Sequence, residues 1–180
     1  MYIANYLTLT RIMLIFPILY LATFQESTSN WIALGLFVFA GITDHLDGFI
    51  ARKTGTSSPL GGLLDLIADK LLICIPLLYF ISSTNNQFLL IPSLIILSRE
   101  LIISSFRQFL AEELGNNPIE ISFIAKSKTT FQITALSFLI ISPNFGEYFY
   151  IITVSLFWLA AYLSLYSLYD YVKDYKNLIK

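Results

Sequence analysis

Four aspartates, Asp44, Asp47, Asp65 and Asp69, lie in a chain otherwise suited to hydrocarbon, accompanied by Gly48, Ala51, Arg52 and Gly61. An ionised aspartate at the centre of a membrane helix costs roughly 2.5–3.5 kcal/mol. Four facing lipid would cost on the order of 10–14 kcal/mol on the same scale. Acids retained in such a chain must turn toward a polar cavity and toward cations, and ionisable residues at membrane depth mark function. Asp44 and Asp47 are three apart and Asp65 and Asp69 four apart, spacings that put each pair on one helix face. A connection over Lys53–Gly62 makes the two helices an antiparallel pair whose acids converge, offering up to eight carboxylate oxygens. Hard divalent cations such as Mg²⁺ or Mn²⁺ choose oxygen ligands and keep substrate phosphates in their shell. Two of them can clamp the attacking and leaving oxygens of a phosphoryl displacement. Gly48 and Ala51 leave room for a ligand or a neighbouring helix, Gly61 and Gly62 just precede the second acid pair, and Arg52 offers a planar fork suited to a diphosphate.

The elements that must position these residues are membrane helices. The chain of 180 residues is 56% hydrophobic and 13% charged, against about 25% charged in a soluble domain. Apolar segments fall at roughly 5–24, 31–50, 63–82, 87–110, 124–142 and 148–170, each near the ~20 residues that cross the bilayer as a helix. Their continuous rather than alternating apolarity favours helices over a barrel. The links Gln25 to Asn30, Ser82 to Gln87 and Ser142 to Glu147 hold no Lys or Arg, while all eleven bases fall on or toward the other side. The positive-inside rule makes that side cytoplasmic, which places both termini and the acids there. The expectation is therefore an all-α integral membrane protein with six transmembrane helices and an active site in a polar cavity at the cytoplasmic side. It is read as a single domain over 1–180, multi-pass in the inner (plasma) membrane, with no internal repeat. No basic stretch precedes the first apolar run, which is read as a retained helix rather than a signal peptide. Cys74 is the only cysteine and is read as packing, so no intrachain disulfide forms.

The segment DHLDGFIARKTGTSSPLGGLLDLIAD, residues 44–69, resembles the CDP-alcohol phosphotransferase signature at all eight fixed residues over 26 positions. That signature reads D-x-x-D-G-x-x-A-R, eight residues, G-x-x-x-D-x-x-x-D, and the family's six membrane helices match the count above. The resemblance implies transfer of a phosphatidyl-type group from a CDP-linked lipid to an alcohol, with release of CMP. It implies that Asp44, Asp47, Asp65 and Asp69 bind two divalent cations and that Asp69 is also the general base. It implies that Gly48, Ala51, Arg52, Ser58 and Gly61 line the CDP-lipid site. A carboxylate within hydrogen-bond reach of the acceptor hydroxyl suits the base role.

The acceptor is read from two further segments, Ser98 to Arg107 and Ala125 to Thr130, and from the opening NYLTLTR, Asn5 to Arg11. These look like the bacterial branch of the family that forms phosphatidylglycerophosphate, where a basic cluster receives the phosphate of glycerol 3-phosphate. Carried over, Arg99, Arg107 and Lys126 would bind that phosphate, although Arg99 could also pair with Glu100. Bases near helix ends also snorkel or touch anionic lipid, the role expected of Lys128, Lys173, Lys176 and Lys180. One departure is Leu66, where that branch often has proline. Partners expected are CDP-diacylglycerol, glycerol 3-phosphate, membrane lipids and a second copy in a homodimer, with no nucleic acid. The nearest rival is the same chemistry with serine or an inositol compound, which would not need the cationic set. A divalent-metal transporter is more distant, since its ligands belong near mid-bilayer in repeated halves. His45, beside Asp44, is read as packing or interfacial, and the tyrosines and tryptophans near span ends as an interface belt. Asp69→Asn should lose nearly all transfer while the protein stays folded and inserted; assay of CMP release on the purified variant checks this, and substantial remaining activity would remove Asp69 as the base.

Overall fold

The computed structural model describes the backbone of residues 2–54, 59–114 and 123–179, and the side chains of 6–43, 61–110, 129–173 and 175. Among the described residues every regular element is helical: α1 Tyr2–Thr23, α2 Ser27–Thr54, α3 Pro59–Thr84, α4 Gln87–Leu114, α5 Phe123–Ile141 and α6 Glu147–Ile179. A short 3₁₀ turn, Ser142–Asn144, joins α5 to α6. The helices match the six apolar segments, ending one residue short of them at Thr23 and Ile141, and α2, α3, α4 and α6 run past them, because helical hydrogen bonding continues beyond the stretch that hydrocarbon selects. Lys53, Thr54 and positions 59–62, expected in a loop, are helical: α2 runs to Thr54 and α3 opens on Pro59. Proline's fixed φ and missing N–H suit a helix's first turn. Gln25 (φ 51°) and Asn85 (φ 45°) take left-handed backbone just after α1 and α3, ending each helix so the next can start within a few residues. At the start of α4 the Asn86 Oδ1 accepts the Phe88 N–H at 2.8 Å, satisfying a donor that the first turn leaves without a helical partner.

Among the described residues, three helices are long and apolar enough to cross a membrane, over Tyr6–Thr23, Gln87–Leu110 and Glu147–Lys173, and Ser27–Thr43 is a shorter apolar helix. Large apolar side chains also cover the outside: Met13, Phe16, Phe88, Leu101 and Tyr162 are each well exposed. A chain apolar on its outer surface as well as inside belongs in lipid.

The helices pack into two compact units, Met1–Thr84 with Leu136–Ile151, and Asn85–Ala135 with Ile152–Lys180. In the first, α1 packs against α2 and α3. Its buried stripe on α1 is Thr8, Arg11, Ile15, Ile18 and Ala22, steps of three and four that keep one face inward. On α2 the stripe is Asn30, Ala33, Phe37 and Ala40, and the same steps along the helix reach positions 44 and 47. On α3 it includes Ala68, Leu72, Leu77 and Phe80. The small residues Ala33, Ala40 and Ala68 let backbones approach, the usual basis of helix packing in lipid. At the opening of α2, buried Asn30 donates from Nδ2 to Asn144 Oδ1 at 2.8 Å, and Asn144 donates to the Ser27 carbonyl at 3.3 Å. Beside them Trp31 meets Phe145 edge-on, and Phe145, Phe149 and Phe138 stack in series.

In the second unit, α4 buries Leu89, Ser93, Ile96, Arg99 and Ile103, and α6 buries Thr153, Phe157, Ala160, Ser164 and Ser167. Both follow the same three-and-four spacing, and the α6 face is mostly small and hydroxylated. Asn30→Ala should destabilise the protein by about 1–3 kcal/mol, because it strips a buried hydrogen-bond partner from Asn144; a lowered unfolding midpoint in detergent checks it.

Candidate functional site

The 44–69 signature is carried by the C-terminal half of α2 and the first turns of α3. Asp44, Asp47, Gly48, Ala51 and Arg52 lie on α2 as expected, and their side chains, like that of His45, are outside the described residues. Ser58 lies outside them altogether. Asp65 and Asp69 are described, one turn apart on α3, with side chains 41% and 48% exposed.

These two carboxylates are joined by Arg11, which the sequence sets among the cytoplasmic-side bases and at the end of the opening NYLTLTR, with no role at the site assigned to it. Arg11 Nη1 on α1 donates to Asp69 Oδ1 at 2.9 Å and to Asp65 Oδ1 at 3.4 Å. The Arg11 side chain has 0% exposure. The guanidinium thus sits behind the acids, in the apolar stripe of α1, while the acids keep an open side. Each carboxylate has more lone pairs than one donor uses, and the set is made of hard oxygen donors. That chemistry fits a divalent cation such as Mg²⁺ or Mn²⁺. Among the described residues no group of three or more His, Cys, Asp or Glu side chains gathers; the other two acids of the motif are the ones outside that set. Gly61 and Gly62 fall in the first turns of α3, and among the described residues a Cβ at Gly62 would meet nothing within 4 Å.

Within the second unit, Arg99, expected at the acceptor phosphate with Glu100 as the alternative partner, is buried and donates from Nη1 to Glu100 Oε1 at 3.4 Å and from Nη2 to Ser167 Oγ at 2.8 Å. Gln132 on α5, also buried, donates from Nε2 to Ser164 Oγ at 3.1 Å and to Glu100 Oε1 at 3.4 Å. These bonds join α4, α5 and α6 through one polar cluster, of which the sequence reading had only the Arg99–Glu100 part. Arg107 is exposed, and its Cζ lies 5.8 Å from the centroid of the Tyr171 ring, a cation–π contact that leaves the edge of the guanidinium open to an anion. Phe106 meets Tyr171 and Tyr175 edge-on next to it. Tyr171, expected in an interface belt, thus has a specific partner. Lys126 lies on α5, and its side chain is outside the described residues.

Comparison with known proteins adds a family and named relatives. The model of the family described as CDP-alcohol phosphatidyltransferase matches residues 1–166. A CDP-diacylglycerol–glycerol-3-phosphate 3-phosphatidyltransferase of Rickettsia typhi is 38% identical over 176 residues, 96% of this chain and 96% of the relative. Proteins of the same name are similar at 38% identity over 96% of this chain and 94% of the relative in Rickettsia prowazekii, and at 36% over 94% and 92% in Escherichia coli K12.

Glu100→Ala should cost about 3–5 kcal/mol, since it leaves a buried guanidinium short of its counter-charge. Ser167→Ala should cost about 1 kcal/mol, the loss of one hydrogen bond. Unfolding midpoints of the two variants in one detergent test that order.

Proposed function

We propose, on the premise that this chain belongs to the CDP-alcohol phosphatidyltransferase family, that it transfers the phosphatidyl group of CDP-diacylglycerol to glycerol 3-phosphate. The products are phosphatidylglycerophosphate and CMP. Similarity along nearly the whole chain to relatives of that activity carries the reading, and the signature acids, with Asp65 and Asp69 drawn to one guanidinium, supply its chemistry. The single domain spans 1–180, crosses the inner membrane six times with both termini cytoplasmic, and works as a homodimer from a polar cavity on the cytoplasmic side. The hydropathy of the six segments and the sidedness of the bases support that topology.

In this reading Asp44, Asp47, Asp65 and Asp69 hold two divalent cations, Mg²⁺ or Mn²⁺. When bound, such ions offset the charge of the diphosphate and of departing CMP. Gly48, Ala51, Arg52, Ser58 and Gly61 receive the CDP-lipid, with Arg52 bidentate on a phosphate. A hydroxyl oxygen of glycerol 3-phosphate attacks the phosphorus that carries diacylglycerol. The bond from that phosphorus to the bridging oxygen breaks, CMP departs with the electron pair, and Asp69 accepts the hydroxyl proton. Arg99, Arg107 and Lys126 answer the acceptor's phosphate. Arg99 does so while already engaged by Glu100 and Ser167, so the larger share falls to Arg107 and Lys126.

Purified protein supplied with CDP-diacylglycerol and Mg²⁺ or Mn²⁺ should release CMP with glycerol 3-phosphate and not with serine or inositol compounds. Release with another alcohol would keep the chemistry and overturn the acceptor. Arg107→Ala and Lys126→Ala should each raise KM for glycerol 3-phosphate about tenfold or more, the equivalent of one charge-assisted hydrogen bond, with KM for CDP-diacylglycerol little changed.

A further inference from the structure

Arg11 lies outside the 44–69 signature, on a different helix, and its side chain is sealed from solvent while the carboxylates it binds stay open. A buried guanidinium cannot meet a substrate directly; what it can do is act through the groups it touches. One of its nitrogens, Nη1, donates to Asp69 Oδ1 at 2.9 Å and to Asp65 Oδ1 at 3.4 Å, so a single donor links two side chains one turn apart. Arg11 itself is fixed by its place in the stripe between Thr8 and Ile15. We infer that Arg11 is a positioning residue for the metal centre: from the buried side it fixes Asp65 and Asp69 so that their carboxylates present one geometry to the cations on the open side. The inference rests on the proposed reading of these acids as ligands and adds to it a residue from α1.

Two effects of opposite sign meet at this residue. The positive charge of Arg11 repels an incoming cation. Its hydrogen bonds hold two mutually repelling carboxylates in register, and removing partners of this kind from ligating groups typically costs 10–100-fold in metal affinity. Lysine separates the effects, since it keeps the charge and loses the rigid planar fork. If orientation governs, Arg11→Lys and Arg11→Met both weaken binding. If charge governs, Arg11→Met strengthens it and Arg11→Lys leaves it as it was.

The test is Mn²⁺ binding to the detergent-purified protein without substrates, by titration calorimetry or by the electron-spin signal of free Mn²⁺. It is run on the unaltered chain, Arg11→Lys and Arg11→Met, with CMP release measured alongside across Mn²⁺ concentrations. The expected result is a Kd raised about 10–100-fold in both variants, with the Mn²⁺ concentration for half-maximal activity rising in parallel. An unchanged Kd in both, or tighter binding by Arg11→Met with an unaltered Arg11→Lys, overturns the inference. So does failure of both variants to fold with or without Mn²⁺, which would assign Arg11 a purely structural duty. If the unaltered chain itself shows no metal-dependent CMP release, the proposed function fails and this inference with it. An active unaltered chain beside variants of unchanged Kd removes the inference alone.

Discussion

Arg11 has no exposed side-chain surface, and a lone ion in an apolar interior carries a desolvation penalty of several kcal/mol. Coulomb attraction and hydrogen bonds must offset that penalty, and Asp65 and Asp69 provide both. The same bonds act in the other direction. Two carboxylates one turn apart on α3 repel each other, and a shared donor lets them stay close. α1 and the start of α3 each bring charge that the other offsets in part, one guanidinium against two carboxylates. The packing of α1 on α3 is thus set by charge as well as by the apolar stripe, and the proposed chemistry is built onto that contact.

The second unit meets the same constraint with other means. Arg99 also stands in an apolar stripe, and its counter-groups are one carboxylate, Glu100, and a hydroxyl, Ser167. Gln132 extends the cluster to α5 and to Ser164. The Glu100 carboxylate is shared between a guanidinium and an amide at 3.4 Å each, while Arg99 Nε and Gln132 Oε1 have no hydrogen-bond partner among the described residues, so the cluster is satisfied only in part. Both units therefore place one arginine in a position that periodicity alone would fill with leucine.

Much of the helical architecture was legible because hydrocarbon imposes a coarse, strong pattern. The six apolar runs coincide with α1 to α6, and the polar links Gln25 to Asn30 and Ser82 to Gln87 contain the left-handed residues that end α1 and α3. Helix ends were less legible. Nothing in hydropathy says that α2 continues through Lys53 and Thr54, or that Pro59 opens α3 rather than prolonging a loop. The one-turn spacing of Asp65 and Asp69 on α3 could be read from the sequence, whereas Arg99 could be placed there only between an acceptor phosphate and a neighbouring acid. Arg11 stands in the sequence as one of eleven bases and as the last residue of NYLTLTR, and its link to the acids carries one signal: it is the only charge in the first apolar run, and a base there needs an acid from elsewhere. Gln132, Ser164 and Ser167 gave no comparable signal, because hydroxyls and amides are common in membrane helices and their partners depend on which helices meet.

The separation of 54 and 58 residues between Arg11 and its carboxylates carries a meaning for how the protein is made. The helix bearing the cation leaves the ribosome first, and at about 5–20 residues per second its counter-charges follow roughly 3–12 s later. Over that interval the first helix holds a base not yet paired with α3, which opposes insertion by less than the roughly 2.5–3.5 kcal/mol of a helix centre, in a stretch apolar enough to insert despite it. The contact of Arg11 with Asp65 and Asp69 can therefore form only after α3 has followed α1 and α2 out of the ribosome, so the pairing of this buried charge comes late in the making of the first three helices.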